Sequence, residues 1–306
     1  MLLDRGVHTT VSTRTDGARA NLTELDITRV HGDDQIPGQI EEWVTGHDLI
    51  IDAAAPYALD LHDPDQSHAA RLATAQDRMA RLLKASAAAG ATLIHVGSIL
   101  TPGANRKSLR DRVIETAHPY FRMKQRMEQM AIEAARAGQP VVIVRPSSLL
   151  GPWNNRPFHH CYVSAIMTGG MPASFPDTIN VLDVRDAAET ILRIADGGWF
   201  GRPVPIAGHD ITVHDLTDRI VDLSGARRPP RWTALSAGAA VLYAAETTLG
   251  AAGFRSPYPS LPVLLTLASG PVAITGAQRA LGPSLRPLLE TLADEIEWHR
   301  SRGCPG

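Results

Sequence analysis

Short apolar, β-branched runs that alternate with helical stretches constrain this chain more than any other feature. Ala91-Thr92-Leu93-Ile94-His95-Val96-Gly97-Ser98 and Pro140-Val141-Val142-Ile143-Val144-Arg145-Pro146 are nearly continuous apolar runs closed by Gly or Pro. Parallel strands buried on both faces read this way. Between them, Pro119 suits the first turn of a helix and Gly138 its stop. Further strands are expected at 7–12, 28–31 and 48–52, with a short helix at 39–44. A long alanine-rich helix is expected at 67–89, ended by Gly90. The alternation predicts an α/β chain built on a Rossmann-like doubly wound parallel sheet.

After Pro146 the texture changes. Gly151 to Pro157 is dense in turn formers, 180–184 looks extended and 185–195 helical. A short edge strand is expected at 204–207, and amphipathic helices at 213–223 and 285–300. We therefore expect one Rossmann-like domain over 1–150, with 180–198 returning to it. Residues 151–179 and 199–306 would mainly form a smaller, mostly helical lobe that covers the sheet edge.

Composition narrows the function. With 306 residues, 44% of them apolar, the chain can bury one large core and a smaller one. A net charge of −2 gives no broad attraction to nucleic acid or anionic membranes. Two cysteines, Cys161 and Cys304, make no disulfide framework, so a reducing cytoplasm is expected. The first six residues have no apolar signal-peptide core. Residues 234–254 are Ala-rich and interrupted by Glu246, which predicts an amphipathic packing helix rather than a membrane span. His159-His160-Cys161 has no second ligand cluster at metal-binding spacing, so no metal is expected.

Sites in open parallel sheets gather at the carboxyl ends of strands. Ser98 and Arg145-Pro146 fall there, and the helix between them carries Tyr120 and Lys124 one turn apart on one face. A free phenol has a pKa of about 10, and lowering it by about 3 units takes roughly 4 kcal/mol of favourable interaction. An adjacent ammonium contributes in that direction, so Tyr120 can exchange a proton with an alcohol or carbonyl oxygen. Tyr-x-x-x-Lys alone also fits a solvated helical pair; its flanking strands favour the site. The basic run Asn105 to Arg112 borders this site and reads more simply as a solvated loop than as a binder of a substrate phosphate or carboxylate.

With these motifs placed, residues 2–301 resemble the extended short-chain dehydrogenase/reductase family, also called NAD-dependent epimerase/dehydratases. Dihydroflavonol-reductase and hydroxysteroid-dehydrogenase-like members are the most similar. The resemblance implies that Ser98, Tyr120 and Lys124 are catalytic. It places Ala53 and Ala54, in Asp52-Ala53-Ala54-Ala55, beside the cofactor ribose, and Asp33 near the adenine. Lys124 would also hold the nicotinamide ribose. Arg145-Pro146-Ser147 and Gly151-Pro152 would flank the nicotinamide, with Pro146 in contact. Val181 to Asp186 and Leu281 to Trp298 match two later family segments. Arg14, where the second family strand ends, favours NADP over NAD, because an acid there would hold the ribose hydroxyls of NAD. The resemblance also makes a homodimer through helices 67–89 and 119–137 an expectation.

One departure is large. The family opens with a strand and a glycine-rich turn whose amides hold the pyrophosphate, and no such turn exists here. Met1 to Gly6 match only the end of the helix that follows it, so roughly 15–20 residues of a strand-turn-helix unit are absent. That strand lies mid-sheet, and losing it exposes ladder groups on both neighbours. We expect a native start upstream of Met1, in preference to a degenerate member. The expected activity is NADP-dependent hydride transfer to or from a ketone or secondary alcohol of a small metabolite. The alternatives are nucleotide-sugar epimerase or dehydratase chemistry, or a sensor, isomerase or cyclase without bound dinucleotide.

Overall fold

The computed structural model describes residues 1–14, 22, 24–54, 67–101, 119–154, 161–171, 173–233, 235–254, 260–281 and 284–302. After a 3-10 turn at Leu3–Arg5 come β1 (Thr10–Thr13), β2 (Thr28–His31), α1 (Gln39–Val44), β3 (Leu49–Asp52) and α2 (His68–Ala89). Then follow β4 (Thr92–Val96), α3 (Pro119–Arg136), β5 (Val141–Pro146), β6 (Ser148–Leu150) and α4 (Tyr162–Met167). The chain continues through β7 (Thr178–Asp183), α5 (Val184–Asp196), β8 (Val204–Ile206), β9 (His209–Thr212) and α6 (Val213–Ser224). It ends with α7 (Leu235–Ala251), α8 (Leu261–Ala268), α9 (Gly276–Leu281) and α10 (Leu288–Ser301).

The parallel sheet is in two pieces. β3-β4-β5-β8 form a four-stranded sheet and β1-β2 a separate pair, every neighbour parallel. The division falls between β1 and β3. A side-chain bond spans the division near the strand starts, from His47 Nε2 to Thr10 Oγ1 at 2.9 Å.

The core follows from strand alternation. Leu93 and Ile143 face α2 and α3 with Met79, Phe121, Met123 and Met127. Ile94, Val142 and Val144 face the other way, onto Leu182, Ala187 and Ile194. Ser67 Oγ caps α2 by accepting the Ala70 amide at 3.2 Å, and Gly90 closes it in the left-handed region at φ 67°.

Beyond Pro146 a second sheet, β6-β7-β9, stands beside the helices, with β7–β9 antiparallel. Gly208 makes the crossing from β8 to β9 possible, since a Cβ there would stand 2.0 Å from the Val181 carbonyl oxygen. Asn180 completes the join, donating to Gly208 O at 3.2 Å and accepting from Gly208 N at 2.7 Å. α7 is less two-faced than its composition predicts. It buries Ala239 and Glu246 but leaves Val241 68% exposed. Glu246 does not simply interrupt an apolar run, for its carboxylate accepts the Ser260 amide at 2.7 Å. Among the described residues, no helix is long and apolar enough to cross a membrane.

Candidate active site

Every described candidate residue outside α3 sits at the carboxyl end of a strand. Arg14 directly follows β1 and is exposed; Asp33 lies two residues past β2 and is half-buried. Ala53 and Ala54 follow β3 and are exposed, Ser98 follows β4, and the buried Pro146 ends β5. Asp33 turns its carboxylate back on its own loop, accepting the Gln35 amide at 2.9 Å. Ladder bonds continue past Ser98, from Gly97 N to Val144 O at 2.8 Å and from Ile99 N to Pro146 O at 3.0 Å. The serine is therefore held by the sheet. Its Oγ accepts the Leu100 amide at 3.2 Å.

Tyr120 and Lys124 are each only 4% exposed, which removes the solvated helical pair as an account of them. Tyr120 packs edge-on against Phe121 at 5.4 Å. One turn beyond Lys124, Glu128 is equally buried and takes two hydrogen bonds from the Arg145 guanidinium, one from Nε at 2.8 Å. A Cβ at Gly97 would stand 3.2 Å from Glu128 Oε2 and 3.3 Å from Val144 O. The acid thus lies over the residue before Ser98. A bidentate pair between α3 and β5 fixes the helix's height and rotation against the strand ends. Sequence reasoning missed Glu128. Its signal was its place at i+8 on the stripe that Tyr120 and Lys124 share.

A second buried network was also missed. Arg78 of α2 donates to Asp34, just past β2, and to Asp52 Oδ1 at the end of β3 at 2.8 Å. His95 Nδ1 lies 3.1 Å from Asp52 Oδ2. Burial alone would raise the Asp52 carboxyl, but His95 and the Arg78 charge hold it well below the usual carboxylate range. Asp34 is lowered in the same way against burial, chiefly by Arg78. One guanidinium thereby joins the two pieces of the sheet. Arg78 Nη1 and His95 Nε2 are buried without a hydrogen-bond partner among the described residues.

A cavity of about 200 Å³ is lined by Ile99 and Leu100, which follow Ser98 in the chain, with Asn180 and the segment 268–272. The strand ends fit a dinucleotide at two places. Ala53 and Ala54 are exposed past β3, Arg14 and Asp33 lie past the same ends of β1 and β2, and the α3 stripe stands by β4 and β5. Ala55, the 105–112 run, 155–160, 282–283 and Cys304 lie outside the described residues.

Residues 1–199 match the model of the NAD dependent epimerase/dehydratase family. A Synechocystis protein with a provisional dihydroflavonol 4-reductase name is 24% identical over 310 residues, 99% of this chain and 90% of that one. Sterol demethylase protein B of Methylococcus capsulatus is 26% identical over 317 residues, 99% of this chain and 94% of that one. A nucleoside-diphosphate-sugar epimerase from Pseudomonas aeruginosa superposes with a TM-score of 0.71 at 21% identity, covering 100% of this chain and 93% of that one. The chain belongs to the NAD-dependent epimerase/dehydratase family, enzymes of the extended short-chain dehydrogenase type that include NAD(P)-dependent reductases, epimerases and dehydratases.

Proposed function

We propose that the chain is an NADP-dependent oxidoreductase acting on a ketone or secondary alcohol of a small metabolite. The observation that carries this reading is the burial of Tyr120 and Lys124 on one stripe of α3, locked to β5 through Glu128 and Arg145. The nicotinamide supplies the hydride chemistry when bound. Tyr120 gives its phenolic proton to the substrate oxygen in reduction and takes one in oxidation. Lys124 lowers the phenol pKa and holds the nicotinamide ribose. Ser98 donates its hydroxyl to the substrate oxygen and orients it. Arg14, exposed after β1, would meet the 2′-phosphate of NADP, with Asp33, Ala53, Ala54 and Pro146 along the rest of the cofactor. A small-molecule substrate in the cavity lined by Ile99 and Leu100, a homodimer through the outer faces of α2 and α3, and a cytoplasmic setting belong to the same reading.

The test is NADPH oxidation with a panel of ketones, by the wild type and by Tyr120→Phe. We expect the variant to lose two or more orders of magnitude in turnover, in line with the usual worth of general acid–base catalysis of about 10²–10⁴. Nucleotide affinity should be nearly unchanged. Full activity in the variant would remove Tyr120 from the mechanism. Turnover of a nucleotide sugar without net NADPH consumption would move the reading to an epimerase.

A second reading is a member of the family that works without bound dinucleotide. Calorimetric titration with NADPH separates the two. Saturable binding supports the first reading, and none supports the second.

A further inference from the structure

The sequence offered Cys161 no ligand partners, but the fold brings it two from 134 and 138 residues away. Glu295 and His299 lie one turn apart on the inward face of α10, 0% and 4% exposed, and Cys161, just before α4, is 3% exposed. Cys161 Sγ lies 3.2 Å from Glu295 Oε1 and 3.6 Å from His299 Nε2, and those two atoms are 3.8 Å apart. We propose that Cys161, Glu295 and His299 bind one Zn²⁺ ion, which ties α10 to α4 and to the Gly151–Asn154 turn.

Three arguments carry this. The first is geometric. Tetrahedral zinc bonds of about 2.3 Å to sulfur and about 2.0–2.1 Å to nitrogen and oxygen set neighbouring donors roughly 3.3–3.6 Å apart. The three separations found here bracket that range without any rearrangement of the backbone. The donor set, one soft thiol with an imidazole and a carboxylate, also suits zinc rather than magnesium or calcium.

The second is charge. Among the described residues no Lys or Arg pairs with the fully buried Glu295 carboxylate, whose one ion-pair candidate is His299. Its other contacts are neutral donors, Gly151 N at 2.7 Å, Asn154 Nδ2 at 3.2 Å and the Cys161 thiol. A buried, uncompensated carboxylate is costly. A divalent cation with a thiolate, a carboxylate and a neutral imidazole makes the cluster electrically neutral.

The third is preorganisation. The Gly151 amide holds Glu295 Oε2 and leaves Oε1 aimed at the other two donors, the outer-shell support that metal ligands commonly have. Trp298 stands edge-on to the His299 ring at 5.0 Å and limits its rotation. The Cys161 thiol binds a metal only after losing its proton. Binding must then displace that proton to solvent while the thiolate takes the metal.

The test uses the full chain, stripped with a chelator and titrated first with Co²⁺ and then with Zn²⁺. We expect one equivalent of Co²⁺ with a thiolate-to-metal charge-transfer band, displacement by Zn²⁺, release of one proton from the thiol, and a higher Tm with Zn²⁺. His299→Gln should weaken binding at least tenfold, and Cys161→Ser should abolish the band. Should Cys161→Ser fail to fold, the wild-type band and His299→Gln still decide. The proposal is overturned by the absence of a thiolate band in the wild type. It is equally overturned by equivalent binding that survives His299→Gln, which would place the metal elsewhere.

Discussion

The two pieces of the parallel sheet differ sharply in how they are built. All of β5 is buried except half-buried Arg145, and β4 is buried at Leu93, Ile94 and His95. No residue of β1 or β2 is buried, and Ile51 at the β3 edge is 39% exposed. Parallel strands are normally covered on both faces because their ladder tolerates solvent poorly. Within the four-stranded piece β4 and β5 meet that condition, and they carry Ser98 and the α3 stripe. The two-stranded piece, which carries Arg14 and leads to Asp33, does not. The proton-transfer end of the proposed site thus rests on a rigid core. The nucleotide-phosphate end depends on a small pair of strands held by α1, α2 and a few side chains.

The largest test of that contrast is Arg78→Met. It leaves Asp34 and Asp52 without their shared cation, and removing one partner of a buried ion pair costs about 3–5 kcal/mol. We expect the loss in urea unfolding, with amide exchange rising first in β1 and β2. Uniform exchange across both pieces would show that Arg78 is not their joint. The same variant has a pH signature. Both carboxyls sit below their reference value of 3.8 in the folded chain. Their stabilisation is complete above that pH and is lost as pH falls through the lower folded values. Wild type should therefore hold its stability down to about pH 4 and lose it below. Arg78→Met should be less stable at neutral pH yet lose less on acidification below about pH 4, because its folded carboxyls no longer sit so far below their unfolded values. Urea unfolding of both proteins at pH 7 and at about pH 3 would show the gap between them narrow.

Next in size is Ile143→Ala in β5. Ile143 is fully buried against α2 and α3, and such truncations cost about 2–5 kcal/mol. A drop in the urea midpoint without a change in slope is the expected result. A much smaller effect would mean that the four-stranded piece is less tightly packed than its burial implies.

The local elements were legible because local patterns specify them. Residues 28–31 and 39–44 coincide with β2 and α1, and Ser67 to Gly90 bounds α2 with its own cap and stop. The ends of β4 and β5, and so Ser98 and Pro146, followed from apolar runs and their closing Gly and Pro. Strand 7–12 shifted to Thr10–Thr13, since Val7 is 43% exposed and among the described residues nothing pairs it into the sheet. What stayed hidden was non-local. β6 has three residues and β9 four, too short to show a period, and their pairing with β7 depends on Gly208 having no side chain. Arg78, Glu128 and Glu295 each look like solvent-facing charges on helices. Only tertiary packing shows them buried, with partners 26, 17 and 134 residues away.

The smallest expected effect is the most discriminating. Val11 occupies the second position of β1, paired with Arg29 of β2, and is only half-buried. If the two-stranded piece contributes as little as its exposure implies, Val11→Ala removes two methyl groups that are already partly wet. At about 25 cal/mol per Å² of apolar surface, the loss should stay below roughly 1 kcal/mol. The urea midpoint should barely move, and NADPH oxidation at saturating nucleotide should be unchanged because Ser98 and the α3 stripe lie on the other piece. Apparent affinity for NADPH should fall modestly, since Arg14 follows the same strand. A cost equal to that of Ile143→Ala would mean that the edge of β1 is covered in the folded protein, and the contrast between the two pieces would fail.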